Sequence, residues 1–546
     1  MTPGIPGKAV RLDVRWAGPR ALLVEVDSLE HVLALHHQLL VSPLKGNVDV
    51  LAAARTVLVV FDSGANARAA RTAVAALDPT PSQDAPAVGE PARIDVVYDG
   101  EDLTDVARLT GLSTDGVVAA HTGQRWTAAF GGFAPGFAYL VGENDVLTVP
   151  RRTSPRTAVP AGSVALAGTF SAVYPRRSPG GWQLIGRTAA RLWDLDREQP
   201  ALLRPGMTVQ FVAVRELVEL RETRKHDDGE PTPRGSALSV LAPGPQSLIQ
   251  DLGRPGLGDL GVSASGAADT TSARQANRLV GNEPGDAVIE TVFGGLAVSA
   301  RGELTLGLAG APTPAQIRSD TGRRPAPLYA PFALHDGEGL YLDPPEAGLR
   351  TYLAVRGGID VPPVLGSRAT DLLSGVGPAP LAQGTVLPVG DSARGRVVGA
   401  AELTSLPHEL LQGGVVVLRI TAGPRQDWFT PESRERFTAQ HWTVTAESNR
   451  IGVRLGLAGT SGKPLDRERT DELPSEGVAP GSLQVPPSGL PVLFLADHPV
   501  TGGYPVIGVV IPEDLPIAAQ LPPGTTARFV TVDPETLQPA AKAVSP

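Results

Sequence analysis

The sequence predicts a mainly β protein with an α+β lobe at its N-terminus, organised as two modules. Two observations carry this prediction. The 546 residues include 62 glycines and 52 prolines but few aromatic residues, a balance typical of short strands joined by tight turns. In addition, three segments of the first half recur in the second half at a nearly constant distance, which indicates two copies of one β-rich domain.

The N-terminal lobe is assigned to residues 1–85. Apolar periodicity predicts strands at 21–26 and 56–61, and these alternate with predicted helices at 30–40 and 65–76. A polar, proline-rich stretch follows and separates this lobe from the β-rich remainder.

The internal repeat defines the rest of the organisation. Its three offsets are 319, 322 and 318 residues, which is difficult to attribute to chance. We therefore assign residues 92–218 to one β domain, 219–236 to a polar linker, and 237–546 to a second module of two lobes. The PG pair and alternating strand that end each copy suit closure of a barrel or sandwich. The matching segments are GSV at Gly162, GGWQLIG at Gly180 and LRPGMTVQFVAV at Leu203, against GSL at Gly481, GGYPVIG at Gly502 and LPPGTTARFVTV at Leu521.

Two helices are predicted within the β-rich remainder. The first covers residues 104–111. The second covers residues 272–281, where Ser272 is the expected N-terminal cap and Gly281 lies near the end.

Composition excludes several classes of function. The net charge is −9 and there is no basic block, so a nucleic-acid partner is not expected. The chain contains no cysteine, which excludes disulfides and thiolate chemistry. No apolar stretch resembles a signal peptide or reaches the roughly 18 residues of a membrane span, so we expect a cytoplasmic protein without a membrane partner. The nine histidines lack metal-ligand spacing, and no metal site is predicted.

Two nucleotide-binding patterns fail on their context. GLGDLG at 256–261 fits GxGxxG, but no apolar strand precedes it and no helix follows it. GTSGKP around Lys463 places Pro464 where a P-loop needs a hydroxyl residue for magnesium. Neither segment is therefore interpreted as a phosphate-binding loop.

The first module contains polar and glycine-rich segments with two open readings each. FGGFAPGFAYL at 130–140 could form a ligand wall or a packed β-turn. Arg151, Arg152 and Arg156 could hold a carboxylate or phosphate through bidentate contacts, or could form a surface charge cluster. The GGW turn at Gly180 permits close approach of a ligand to the backbone, or is a simple bulge.

The second module ends a buried strand with Asp497 and His498 beside the GGY turn. That position suits acid–base chemistry, although a lone histidine at a strand end is also commonly structural. Arg254 and Arg356 lie in glycine-rich segments of the same module and are candidate anion ligands.

Recognisable blocks extend this reading. FAPGFAYL, PRRTSPRTAVPAGSVALAG and SPGGWQLIGRT resemble the carboxyltransferase subdomain C and D family, also called allophanate hydrolase subunit 1 or the B subunit of 5-oxoprolinase. DLGRPG, SGAAD, GGIDVPPVLGSRATD, SEGVAPGSLQVPP and TGGYPVIGVV resemble the partner family, subdomain A and B, allophanate hydrolase subunit 2 or the C subunit of 5-oxoprolinase. The two resemblances cover about residues 10–217 and 237–535.

The resemblance implies cyclophilin-like β-barrel domains in both modules, and it implies that the modules pair. Fusion favours that pairing by raising their effective concentration. Five positions depart from the family pattern, and the mildest departure is Ala268, in SGAAD where SGAMD is usual. Phe170 and Ser171 replace a usual Gln-Thr, and His498 and Pro499 replace a frequent Arg-Gln, which affects the expected polar contacts.

Three functions are implied by relatives of this kind. One is ATP-dependent (magnesium-bound) opening of 5-oxoproline to glutamate with a separate A subunit, and this is our interpretation. The second is carboxyl transfer in a biotin-dependent urea carboxylase or allophanate hydrolase system, although only Met1 and Met207 exist and neither precedes a biotin-accepting lysine. The third is a non-enzymatic inhibitor of a sensor kinase.

Equivalent turns of the two repeats are expected to lie at equivalent ends of the barrels. We therefore expect one cleft in each module. Catalytic roles are assigned to His121, Asp497 and His498, and binding roles to the other residues that line the clefts. The first cleft is assigned His121, Tyr139, Arg156 and Trp182, and the second is assigned Asp497, His498, Tyr504, Arg254 and Arg356.

Overall fold

The computed structural model describes residues 12–80, 90–154, 156–217, 235–460 and 462–540. The protein is mainly β, as predicted. All but the last two residues of the predicted linker, 219–236, lie outside the described residues. Within the described ranges, no helix combines the length and apolar character that crossing a bilayer requires.

The N-terminal lobe is a four-stranded antiparallel sheet of order β1-β2-β4-β3. Both predicted helices are present because a serine begins each one: the side chains of Ser28 and Ser63 accept hydrogen bonds from His31 N and Asn66 N. The sequence did not predict the half-exposed edge strands β1 and β3. The elements are β1 Asp13–Trp16, β2 Ala21–Glu25, α1 Leu29–Val41, β3 Asn47–Ala52, β4 Thr56–Phe61 and α2 Gly64–Ala75.

The first barrel follows, with strand order β12-β9-β10-β7-β6-β13-β5 and a parallel β13–β5 pair. An isolated bridge between Val97 and Arg187 joins its two ends. The strands are β5 Ala92–Val96, β6 Trp126–Gly132, β7 Ala134–Gly142, β8 Arg156–Val159, β9 Ser163–Ala167, β10 Phe170–Val173, β11 Ser178–Gly180, β12 Gln183–Arg187 and β13 Thr208–Ala213. The helices are α3 Leu103–Thr110 and α4 Thr114–Thr122.

The second module begins with a lobe of two sheets, one of six strands and one of five. Its helix α5 was predicted, but the expected serine cap is wrong. Asp269 caps the helix by accepting from Ser272 N, because the chain turns helical two residues earlier. The elements are β14 Ala237–Pro243, β15 Gln246–Gln250, α5 Thr270–Val280, β16 Val288–Val292, β17 Leu296–Arg301, β18 Leu304–Gly310, β19 Ala315–Ser319, β20 Gly322–Pro325, β21 Pro331–Leu334, β22 Gly339–Leu342, β23 Arg350–Val355 and β24 Val386–Pro388.

The second barrel is closed and has the order β25-β32-β29-β30-β27-β26-β33. The first barrel has the same cyclic order, and each barrel contains one parallel pair joining its first and last strands. The predicted duplication is therefore confirmed at the level of topology. The elements are α6 His408–Leu411, β25 Val416–Ala422, α7 Pro431–Ala439, β26 Trp442–Val444, β27 Gly452–Leu457, β28 Glu476–Gly477, β29 Ser482–Gln484, β30 Val492–Phe494, β31 Thr501–Gly502, β32 Val506–Val510, α8 Leu515–Ala518 and β33 Thr526–Thr531.

The equivalence of the barrels extends to individual side chains. Trp126 Nε1 donates to His121 O at 2.9 Å, and Trp442 Nε1 donates to Phe437 O at 3.0 Å. His121 packs on Phe211 with ring centroids 4.3 Å apart, whereas Phe437 packs on a phenylalanine of β33 at 4.9 Å. His121 therefore occupies the position that Phe437 fills in the second copy.

The β6–β7 hairpin of the first module packs directly on the second module. A Cβ at Gly131 would lie 2.1 Å from Asp259 O, and one at Gly132 would lie 2.4 Å from Thr501 Oγ1. Phe133, at a positive φ of 63°, donates its N–H to Thr501 Oγ1 at 3.1 Å. FGGFAPGFAYL was interpreted either as a ligand wall or as a packed β-turn. Its glycines fit close packing, here between the two modules.

Candidate active site at the module junction

A buried arginine from the second module forms the centre of the candidate site. Arg254 follows β15 and is 2% exposed. It donates through Nη2 to Ala369 O and through Nε to Val364 O at 3.4 Å, while Nη1 has no partner among the described residues. Burial lowers the pKa of this guanidinium. The side chain therefore presents a desolvated N–H group that a ligand anion can satisfy.

A second arginine reaches the same loop from the first module. Arg176 follows β10, and its buried Nε has no partner among the described residues. A Cβ on Gly375 would lie 3.6 Å from Arg176 Nη1, and one on Gly377 would lie 3.3 Å from Arg254 Nη2. Two cations from different modules thus approach the loop of residues 371–377, although the sequence analysis identified only Arg254.

The loop between them is held rigidly by its own aspartate. Asp371 accepts hydrogen bonds from Ser263 Oγ at 2.8 Å, Leu373 N at 2.9 Å and Ser374 N at 3.0 Å, and also from Ser374 Oγ. The charge of Asp371 favours the cationic forms of both arginines, but within the described ranges it forms no ion pair with either. The arginines therefore retain capacity for an external carboxylate or phosphate.

His498 lies beside this loop, in a buried position that favours its neutral form. Burial lowers its pKa, and its ring stacks on Phe494 with centroids 5.6 Å apart. Nδ1 lies 2.9 Å from Pro499 O, which assigns the proton to Nδ1 and leaves Nε2 as an acceptor. In the described part of the chain no hydrogen bond engages Nε2. The residue can thus accept a proton or hydrogen bond.

Asp497, by contrast, has both carboxylate oxygens occupied. Arg450 donates to it from Nε and Nη2, each at 2.9 Å, and Ser265 Oγ donates at 2.7 Å. Leu372 N adds a weaker bond at 3.2 Å. Ser265 holds a positive φ of 52°, so backbone strain is stored at this contact. Asp497 therefore positions its neighbours and joins the second barrel to the site loop.

A buried polar network continues from Asp497 between the two lobes of the second module. Arg450 Nη1 donates to Glu290 at 2.5 Å, and Tyr352 OH donates to the same carboxylate at 2.7 Å. Gln520 links the second barrel to Asp269 at 2.8 Å. Single-sequence reasoning missed Glu290 and Gln520 because nothing local marks contacts between such distant segments.

In the first module, Tyr139 and Trp182 lie in an aromatic cluster, with ring centroids 5.5 Å apart. Burial raises the pKa of Tyr139, while hydrogen bonds with the side chains of Ser475 and Thr501 oppose that shift. Tyr139 therefore also contacts the second module.

The arginines beside this cluster are paired with acidic residues. Arg156 Nη2 donates to Asp102 and to Glu101, each at 2.9 Å, and Arg152 Nη1 contacts Asp102 at 2.5 Å. Arg151 points elsewhere, to Glu472 of the second module at 3.3 Å. Arg156 Nη1 and Arg152 Nε are nevertheless buried without partners among the described residues, so part of their donor capacity remains open.

The repeat reverses the polarity of this ion pair. Arg156 pairs with Gly180 in the β8–β11 ribbon, and Glu476 pairs with Gly502 in the β28–β31 ribbon. The partners are equivalent too, because Asp102 N bonds to Leu184 O while Arg425 N bonds to Val506 O. Arg425 Nε donates to Glu476 at 2.8 Å. Base and acid have thus exchanged places between the two barrels.

Three sequence-predicted residues are not brought into these groups. His121 lies in the barrel core, where Nε2 is 2.9 Å from Ser171 Oγ and burial lowers its pKa to about 3. Arg356 donates to the carbonyls of Val280, Ala393 and Arg396 beside a separate cavity of 360 Å³. Tyr504 is 43% exposed and lies under the guanidinium of Arg467 at 5.7 Å.

Comparison with known proteins places both halves among related sequences. Residues 12–203 match the family model described as carboxyltransferase domain, subdomain C and D, and residues 260–531 match carboxyltransferase domain, subdomain A and B. The chain is 36% identical over 299 residues to the C subunit of 5-oxoprolinase from Escherichia coli (strain K12), covering 54% of this chain and 90% of that protein. It is 48% identical over 126 residues to the B subunit of 5-oxoprolinase from Escherichia coli O157:H7, covering 22% and 58%.

Two further similarities involve longer or solved chains. Urea amidolyase of Lachancea kluyveri is 31% identical over 317 residues, which cover 54% of this chain but 17% of that protein. The fold is also similar to the crystal structure of TTHA0988, with a TM-score of 0.79 and 34% sequence identity. The match covers 93% of this chain and 99% of that chain. The two-module architecture thus occurs as one chain in a solved structure.

Proposed function

Because the chain belongs to the carboxyltransferase-domain family, with a subdomain C and D module followed by a subdomain A and B module, we propose that it is the fused B/C-type component of a bacterial 5-oxoprolinase. In this proposal it acts with a separate A subunit in the cytoplasm to convert 5-oxoproline, ATP and two water molecules into glutamate, ADP and phosphate. The relatives named as the B and C subunits of 5-oxoprolinase support this assignment.

The structural observation that carries the proposal is the pair of incompletely bonded guanidinium groups at the module junction. Arg254 Nη1 and Arg176 Nε are buried donors without partners among the described residues. A planar carboxylate, such as that of 5-oxoproline, or a phosphate is the natural acceptor for such groups. Since each module supplies one arginine, the proposed site requires the paired arrangement.

ATP is needed because an unactivated lactam is a poor electrophile. Phosphorylation of the lactam oxygen breaks the bond between the β- and γ-phosphates, releases ADP and activates the ring carbon. Water adds to that carbon, and the ring nitrogen takes up a proton and leaves as the ring opens to an acyl phosphate. A second water then cleaves the acyl phosphate to glutamate and phosphate. Cationic side chains stabilise charge that develops during this transfer. In this proposal His498 accepts a proton from the attacking water through Nε2, which has no hydrogen bond within the described ranges.

Magnesium enters this scheme with the nucleotide. Among the described residues, no group of three or more histidine or acidic side chains has metal-binding geometry. Mg²⁺ commonly keeps several waters and takes phosphate oxygens of its substrate as ligands, so a dedicated protein cage is not required.

The proposal is tested with the purified chain, its A-subunit partner, ATP and either 5-oxoproline or 2-pyrrolidinone, the lactam that lacks the carboxylate. We expect ATP-dependent release of glutamate from 5-oxoproline, and of 4-aminobutyrate from 2-pyrrolidinone, only with both components present. Arg176→Met should weaken use of 5-oxoproline by about 10- to 100-fold, because it removes a charge-assisted contact, and should leave 2-pyrrolidinone nearly unaffected. Arg177→Met, at the exposed neighbouring residue, is the matched control.

Two outcomes contradict the proposal. Glutamate release at full rate without ATP eliminates the activation step. Carboxyl transfer from carboxybiotin to urea, with no lactam turnover, instead favours the second candidate function, which the similarity to urea amidolyase supports.

A further inference from the structure

We propose that a cavity between the N-terminal lobe and the second barrel binds a small zwitterion of the α-amino acid class. The cavity measures 210 Å³. The end of β2 and the start of β4 form one wall, and the segment of residues 469–476, with Arg425 and Trp428, forms the other. Neither Arg176 nor Arg254 lines it, so this site is separate from the one at the junction loop.

Two buried polar groups in the lining lack partners. Trp428 is 6% exposed, and its Nε1 makes no hydrogen bond with the described residues. Thr56 is 1% exposed, and its Oγ1 is likewise unpaired within the described ranges. Leaving such groups unsatisfied costs about 1–3 kcal/mol each. Because both residues line one cavity, a molecule bound there can supply the missing partners.

The inner part of the cavity favours a cationic group. Arg425 lies between Glu476 and Glu25, donating to Glu25 Oε2 at 2.8 Å, so one positive charge faces two carboxylates. In the described part of the structure, the other oxygen of Glu25 has no hydrogen bond. An ammonium group placed against Glu25 would balance the excess negative charge.

The rim supplies the complementary charge. Arg55 is exposed there, and the guanidinium of Arg469 lies 5.8 Å from the centroid of the Trp428 ring. Asp471 and Glu472 also line the rim, but Glu472 pairs with Arg151 at 3.3 Å, and Arg469 pairs with Asp427 at 3.7 Å. Arg55 has no ion pair among the described residues, so a carboxylate at the rim would meet its guanidinium. The cavity thus presents the carboxylate of Glu25 inside and the guanidinium of Arg55 at its rim, an arrangement that matches a molecule carrying both charges a few bonds apart.

Size limits the ligand further. Drug-sized sites occupy about 300–1,000 Å³, and this cavity is smaller. A free amino acid fits that limit and a nucleotide does not. The walls also come from both modules, which contact each other here through Ala54 N and Ser475 O at 3.1 Å. Occupation of the cavity would consequently stabilise the paired arrangement.

Isothermal titration of the full chain tests this inference, with L-glutamate, L-alanine and L-lysine as probes. Glutarate, which lacks the ammonium group, and n-butylamine, which lacks the carboxylate, are the ligand controls. We expect at least one amino acid to bind at least tenfold more tightly than either control. Glu25→Gln should reduce that affinity about tenfold or more, whereas Glu143→Gln, the same charge change at an exposed residue outside the cavity, should leave it unchanged.

Thr56→Val keeps the test informative if Glu25→Gln disturbs the fold. It removes the unpaired hydroxyl with little change of shape, so it should abolish the ligand-induced rise in melting temperature without lowering the melting temperature of the free protein. The inference is overturned if no probe binds, if glutarate binds equally well, or if binding persists in both cavity variants. Binding that is lost only in Arg254→Met would assign the amino acid to the junction site and would also overturn it.

Discussion

Replacing His121 with phenylalanine tests whether this residue belongs to the barrel core or to a catalytic cleft. The second barrel has Phe437 at the equivalent position, with the same tryptophan contact, so the ring shape is compatible with the fold. The substitution removes the hydrogen bonds that the imidazole makes with Ser171 and Tyr98. At neutral pH we expect this to cost about 1–3 kcal/mol.

The pH dependence gives the larger effect. Burial lowers the pKa of His121 to about 3 in the folded state, against about 6.5 when unfolded. A histidine whose pKa is lower in the folded state than in the unfolded state contributes fully to the free energy of unfolding above about pH 6.5. That contribution falls as the pH drops towards about 3, because the unfolded state binds a proton that the folded state does not. Between pH 6.5 and 4.5 the difference is about 2 pH units, or about 2.7 kcal/mol of folding free energy. A phenylalanine side chain does not titrate, so the variant should not lose this folding free energy at low pH.

Denaturant unfolding followed by fluorescence at pH 7.5 and 4.5 measures this change. The stability of His121→Phe relative to the unmodified protein should improve by about 2–3 kcal/mol at the lower pH. An identical difference at both pH values would refute the core assignment. Turnover of the reconstituted enzyme is a second readout: a catalytic histidine predicts its loss, and a core residue predicts that turnover is retained.

Two further substitutions test the contacts between modules. Gly132→Ala should lower the melting temperature, since its Cβ would lie 2.4 Å from Thr501 Oγ1, whereas Gly235→Ala, which meets nothing within 4 Å, should not; equal melting temperatures would contradict the packing argument. Asp49 accepts from Gly258 N at 3.1 Å, and burial raises its pKa to about 6. Its ionisation therefore costs stability as the pH rises from about 4 to 6, so Asp49→Asn should gain about 1–3 kcal/mol at pH 7.5 and little at pH 4; a gain that is independent of pH in denaturant unfolding would contradict this.

Local signals account for the parts of the fold that the sequence could predict. The duplication was visible because both copies retain the same turns around Gly180 and Gly502, although the order of the strands became known only from the structure. The helices of the N-terminal lobe were visible because serines cap them. The edge strands β1 and β3 were missed because partial exposure weakens their alternation of apolar and polar residues.

The candidate site was harder to predict because its groups come from distant segments. Arg254 and His498 were identified from their local sequence, but Arg176 and the loop at Asp371 meet only after the modules pack. The composition of the Arg151–Arg156 segment did not reveal that Asp102 already pairs with two of its arginines. A single sequence contains no information about such partners, because ion pairing is decided by tertiary structure rather than by spacing.

The reversed ion pairs have a consequence for how this chain folds. Two barrels of identical strand order on one polypeptide invite exchange of equivalent ribbons, a typical failure of repeat proteins. An exchanged β28 ribbon would place Glu476 against Asp102, and an exchanged β8 ribbon would place Arg156 against Arg425, so like charges would meet in partly buried positions. Such contacts are costly, whereas each correct pairing is attractive. Because the charges of the two ion pairs are reversed between the barrels, each ribbon is attracted to its own barrel and repelled by the other.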